Sequence, residues 1–238
     1  MPFFRKEITL FHLFGLPIKA NPSWLILVAL VWTTLAMGWF PSEQALGPDR
    51  PAYIYWLLGG IGTLGLFASL VAHELCHSLV AREVGMPVGG ITLFIFGGVS
   101  QLRDEPPTAG SEFLMAVVGP LSSVAIGGVF LVLLLIGLAA GWPDTVRSVL
   151  KYLSFVNFFL AAFNSVPAFP LDGGRVLRSI MWGVSGDLRS STRVAAGVGS
   201  FFGVGLIVLA AEAWPVSARL ADRQSSSSRL ADGQDVAP

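Results

Sequence analysis

The sequence predicts an all-α integral membrane protein of about six transmembrane helices, with a small re-entrant β-hairpin after the second. Three observations predict it. Of 238 residues, 53% are hydrophobic and only 13% charged, and the mean hydropathy is +0.69, above the usual range of soluble domains. The apolar residues gather into runs near the roughly 20 residues that a helix needs to cross the hydrocarbon layer. Between the second and third runs lies a glycine-bounded apolar stretch, too short to span and too apolar for a solvated loop.

Taken in order, the first run is Pro22 to Phe40. It follows Arg5, Lys6 and Lys19 and so resembles a signal peptide, but its end, Met37-Gly38-Trp39-Phe40, lacks a small-x-small cleavage site, which predicts a retained span. Tyr53 to Val84 is the second. Met86 to Leu102 then reads as the hairpin, with β-branched and aromatic residues between glycine pairs. Such backbone at membrane depth must be covered by protein or line a cavity, which puts the hairpin beside a site. Ser111 to Ala140, Ser148 to Val166 and Val194 to Trp214 complete the long runs, with a shorter, arginine-bearing stretch from Leu171 to Val184 before the last.

With the amino terminus in the cytoplasm and six spans, Arg50, Arg147, Lys151, Arg189 and Arg193 fall outside, and the other ten of the 15 Lys and Arg fall inside. This bias predicts that both termini are cytoplasmic, and the short chain without organelle targeting signals is expected in a prokaryotic cell membrane, as a multi-pass protein. Residues 1–214 are thus expected to form one membrane-embedded domain. Residues 215–238 are expected to be a disordered polar tail, in which Arg219-Leu220-Ala221-Asp222 recurs as Arg229-Leu230-Ala231-Asp232 across four serines. A net charge of zero and a pI near 6.8 offer no basic face, so nucleic acid is not an expected partner. Cys76 is the only cysteine, which rules out an internal disulfide.

His73-Glu74-Leu75-Cys76-His77 lies late in the second run. Helical residues four apart differ by about 40° of rotation and about 6 Å of rise, so both imidazoles project from one face and can grip one metal. Two neutral imidazoles suit zinc, and the adjacent Glu74 carboxylate suits a base that takes a proton from attacking water. Ionisable groups inside a span cost about 2.5 to 3.5 kcal/mol each on the insertion scale and usually mark function. A catalytic zinc takes three protein ligands. His12 is the only other histidine and lies in the amino-terminal segment, so a carboxylate is expected. Asp172 fits best: in Asn164-Ser165-Val166-Pro167-Ala168-Phe169-Pro170-Leu171-Asp172-Gly173-Gly174 the prolines end a helix and the glycines permit a tight turn. The bland alternative for Asp172 is a helix-capping loop aspartate.

These paired motifs, with Phe96-Gly97-Gly98 and Gly119-Pro120, resemble the site-2 protease family of intramembrane zinc metalloproteases over most of residues 1–214. The resemblance implies one Zn(2+) per chain held by His73, His77 and Asp172, Glu74 as catalytic acid/base, and Asn164 lining the active site. It implies substrates that are transmembrane proteins in the bilayer, such as membrane-tethered regulators, anti-sigma or pro-sigma factors, or remnant signal peptides. The hairpin is expected to receive an extended substrate strand at its edge, with Gly97, Gly98 and Val99 as contact residues. Cys76 replaces a glycine frequent in the family, and neither the nucleotide-binding CBS modules nor the PDZ insertion of many relatives is expected within these residues. Asn157 and Asn164, seven residues apart, share a helix face.

Gly183-Val184-Ser185-Gly186 matches a rhomboid-type nucleophile motif, but no histidine follows His77 to act as its base. No aspartate is preceded by the Gly-x-Gly of an aspartyl intramembrane protease. A membrane metal transporter using the same His/Asp site is the alternative from another class; it has no need of Glu74 as acid/base.

Overall fold

The computed structural model describes residues 7–42, 44–94, 97–102, 105–205 and 207–208. Its helices are α1 (Trp24–Thr34, continued by a π-helical turn over Leu35–Trp39), α2 (Ala52–Glu83), α3 (Ala109–Ala139), α4 (Asp144–Asn164), α5 (Asp172–Ser185) and α6 (residues 188–205). Among the described residues, α2, α3 and α4 are long and apolar enough to cross a membrane. At 32 residues, α2 is about 48 Å long, well beyond the hydrocarbon thickness. The first expected span is a shorter apolar helix, Trp24–Trp39. The proposed tail from residue 215 lies outside the described residues.

Four strands form one sheet in the order β1 (Ile8–Leu13), β2 (Leu16–Ala20), β3 (Val88–Phe94), β4 (Gly97–Leu102). The chain is mostly helical, and strands occupy the stretch read as a hairpin; the amino-terminal pair was not anticipated. Phe14 and Gly15, at φ 50° and 79°, turn β1 onto β2. β2 then runs parallel to β3, with Ile18 opposite Ile91. That approach needs Gly90: at φ +121°, a Cβ there would lie 2.6 Å from the Pro17 carbonyl oxygen.

The inward positions of β2 decide where the sheet docks. Leu16, Ile18 and Ile91 bury themselves against Leu75 of α2, between the two histidines of that helix. The chain enters β3 through a tight stop to α2: the Met86 amide donates to Ala81 and the Gly85 amide to Arg82, with Gly85 at φ 81°. Met86 then packs on Ala81 and Met115, joining the sheet end of α2 to α3. At the opposite end, Leu35, Phe40, Tyr55, Leu58, Tyr152 and Leu153 form the largest apolar core, between α1, α2 and α4. Broad apolar faces remain exposed, for example Leu57 and Leu64 of α2 and Val132 and Leu135 of α3. This is the surface expected of helices solvated by lipid rather than water.

Candidate metal centre

α2 presents His73 and His77 one turn apart, 2% and 4% exposed, with their Nε2 atoms 3.1 Å apart. The Asp172 Oδ2 lies 3.1 Å from one and 3.2 Å from the other. Four ligands tetrahedrally around zinc at about 2.0–2.2 Å would place donors about 3.3–3.6 Å apart, slightly wider than the spacings seen, so a small outward shift lets the three atoms hold one such cation. Among the described residues they are the only such group of His, Cys, Asp or Glu donors.

The outward ring nitrogens fix this arrangement. His77 Nδ1 lies 2.5 Å from the Met115 carbonyl oxygen. A carbonyl only accepts, so Nδ1 carries the proton and a neutral ring turns the Nε2 lone pair toward the cluster. His73 Nδ1 is 2.9 Å from Ser123 Oγ, a hydroxyl able to accept in the same way. Both anchors belong to α3, where Pro120 lacks the amide that would bond the Ala116 carbonyl and so loosens that turn. The residue before it is Gly119, and a Cβ there would lie 2.1 Å from His77 Nε2 and 2.7 Å from His73 Nε2. Only glycine lets α3 back the two rings this closely.

Asp172 arrives from a separate element, as the first residue of α5. Its neighbours leave the turn no slack. A Cβ on Gly173 would lie 2.3 Å from the Ser165 carbonyl oxygen, and one on Gly174 2.6 Å from the Phe169 amide nitrogen. The two glycines therefore nest the start of α5 into the end of α4, and Asp172 as a residue is 9% exposed.

Glu74 is half-buried and is not one of the converging donors. It packs on the sheet: a Cβ built on Gly98 would lie 3.0 Å from Glu74 Cγ. Gly97, Gly98 and Val99 pair with Phe94, Leu93 and Thr92, and β4 forms the outer edge of the sheet. Asn164 ends α4, half-buried, and its amide donates to the Leu160 carbonyl at 3.0 Å; it is not in the cluster. Asn157 is fully buried and donates to Ser69 Oγ of α2 at 3.0 Å. Cys76 is a free thiol outside the donor group, and the exposed His12 lies in β1, also outside it. Sequence reasoning missed Ser123 and Met115; their only local signal is the nearby Gly119-Pro120 pair.

The model of peptidase family M50 matches residues 61–140 and 139–209. A Synechocystis protein provisionally named a zinc metalloprotease is 40% identical over 201 residues, covering 84% of this chain and 51% of that protein. A zinc metalloprotease of Methanocaldococcus jannaschii is 33% identical over 193 residues, covering 81% and 50%. The chain thus spans about half the length of these two relatives. Among solved structures, the site-2 protease from Methanocaldococcus jannaschii superposes with a TM-score of 0.58 at 29% identity, covering 89% of this chain and 88% of that one.

Proposed function

This chain belongs to peptidase family M50, and on that premise we propose that it is a zinc endopeptidase that cuts membrane proteins within or near their transmembrane segments. The observation that carries the proposal is the convergence of two imidazole Nε2 atoms, on a helix apolar enough to span, with one carboxylate oxygen from α5, all within 3.2 Å of one another. His73, His77 and Asp172 would hold zinc, which when bound polarises a carbonyl and acidifies a water.

The rest of the chemistry belongs to the protein. Glu74 accepts a proton from the attacking water and returns it to the amine nitrogen as the peptide C–N bond breaks. Its aliphatic stem rests on β4, so a substrate strand paired to that edge would pass beside its carboxylate. Gly97, Gly98 and Val99 offer their backbone to the extended substrate, and the Asn164 amide binds a substrate carbonyl. A peptide bond inside a helix is shielded, so local unwinding precedes attack. The substrate class is transmembrane protein: a membrane-tethered regulator, an anti-sigma or pro-sigma factor, or a remnant signal peptide. Residues 1–214 make up the membrane-embedded unit, with six spans, a re-entrant β3–β4 hairpin and both termini cytoplasmic.

Purified protein, a model transmembrane peptide and metal analysis test this together. One zinc per chain is expected, with chelation abolishing cleavage and zinc restoring it. Glu74→Gln is expected to keep the zinc and lose cleavage. Near-normal turnover by that variant would remove Glu74 from the mechanism and favour a site that merely passes a cation.

A further inference from the structure

Glu112, on the first turn of α3, is 0% exposed, the lowest value of any carboxylate among the described residues. Its Oε1 accepts from Arg178 Nε at 2.7 Å and from Nη2 of the same guanidinium, with Arg175 Nε 3.9 Å away. Its Oε2 is buried with no hydrogen-bond partner among the described residues. A carboxylate withdrawn this far from water is costly even when paired, and an apolar pair would serve packing at least as well. The ion pair therefore calls for a role other than stability.

Arg178 connects the pair to the metal centre. It lies on α5 six residues after Asp172, and its guanidinium carbon stands 5.4 Å from the Phe169 ring centre, in the turn just before Asp172. One side chain thus holds the Asp172 turn from both directions, through Phe169 on one side and the body of α5 on the other. Gly174 and Gly199 both press on the Phe169 backbone, where added Cβ atoms would lie 2.6 and 2.8 Å from its nitrogen, so the turn has no independent freedom. At the other end of the pair, Glu112 sits seven residues before Gly119, two turns along the same face of α3. One helix face therefore backs the imidazoles with Gly119 and holds α5 with Glu112.

We propose that Glu112, acting through Arg178, is a positioning residue for Asp172: the buried ion pair sets how far the carboxylate stands from the histidine pair. This rests on the metal reading given above. Breaking the pair frees α5 to move against α3 and withdraws one donor, while both imidazoles keep their anchors on Ser123 and Met115.

The test uses the full chain in detergent as wild type, Glu112→Gln and Arg178→Lys, with Leu153→Ala as a variant destabilised at the other end of the bundle. Zinc affinity is measured by chelator competition, and the visible spectrum of the cobalt(II)-loaded protein reports ligand geometry independently of cleavage. Glu112→Gln and Arg178→Lys are each expected to weaken zinc binding ten- to a hundred-fold, the usual effect of losing a residue that orients a ligand. Both should also change the cobalt spectrum. Leu153→Ala is expected to lower the melting temperature with zinc affinity and spectrum unchanged. Arg178→Lys keeps the positive charge, and it decides the matter if Glu112→Gln does not accumulate. Wild-type affinity and spectrum in the ion-pair variants, with only a lowered melting temperature, would overturn the positioning role and leave the metal site standing. A wild-type chain that takes up no zinc would overturn the metal reading and this inference with it.

Discussion

The two ends of the bundle are closed by different means. Between α1, α2 and α4, Leu35, Phe40, Tyr55, Leu58, Tyr152 and Leu153 fill the space by shape, while polar bonds such as the Tyr55 hydroxyl donating to Gly47 at 2.6 Å and the buried Asn157–Ser69 bond lie beside that cluster. Between α2, α3 and α5, the space is closed by His73, His77, Asp172, Ser123 and the Glu112–Arg178 pair, with Gly119 and Gly173 set for backbone approach. The apolar end can trade one large side chain for another of similar volume. The polar end tolerates neither an added atom nor a lost partner, because both would shift a donor or leave a buried polar group unsatisfied. Stability and function are thus assigned largely to opposite ends of the same helices.

The contrast predicts which variants will separate the two. Gly119→Ala should have the largest effect, since its methyl would occupy the space of the imidazole nitrogens: zinc uptake and cleavage are expected to vanish, as metal analysis would show. Retained zinc there would break the comparison. Leu153→Ala, at 6% exposure, should cost about 2–5 kcal/mol of stability by thermal unfolding and leave zinc stoichiometry unchanged. Ser123→Ala removes the partner of His73 Nδ1 and should weaken zinc binding about ten- to a hundred-fold in chelator competition, and the zinc-free protein should lose about 1–3 kcal/mol because a buried ring nitrogen is left unsatisfied. Ser69→Ala removes the hydroxyl that Asn157 bonds between α2 and α4 and should cost only about 0.6 kcal/mol, with zinc affinity unchanged.

The parts of the site legible in the sequence are those set by short-range geometry. His73 and His77 share a helix face whatever the rest of the chain does, and the prolines and glycines around Asp172 mark a forced turn. That Asp172 meets the histidines 95 and 99 residues away depends on how three helices pack; the sequence offered it as the best carboxylate in a forced turn, with a helix-capping aspartate as the alternative, and the resemblance to a known family implied the same ligand. The Glu112–Arg178 pair and the Ser123 anchor were missed for the same reason, as each joins separate helices. The β1–β2 strands were missed because their span is short and apolar, and what stabilises β2 is a parallel partner some 70 residues on, Ile91 for Ile18. The β3–β4 stretch was readable because its glycines and β-branched residues are local signals.

The central claim is that His73, His77 and Asp172 hold one zinc ion together. X-ray absorption at the zinc edge, on the loaded protein and on Asp172→Ala and His77→Ala, addresses it directly. The account predicts two imidazoles and oxygen donors at about 2.0–2.2 Å in the wild type, one imidazole fewer in His77→Ala, and weakened or lost zinc in Asp172→Ala. A wild-type spectrum without imidazole scattering, or one that neither substitution alters, would contradict it.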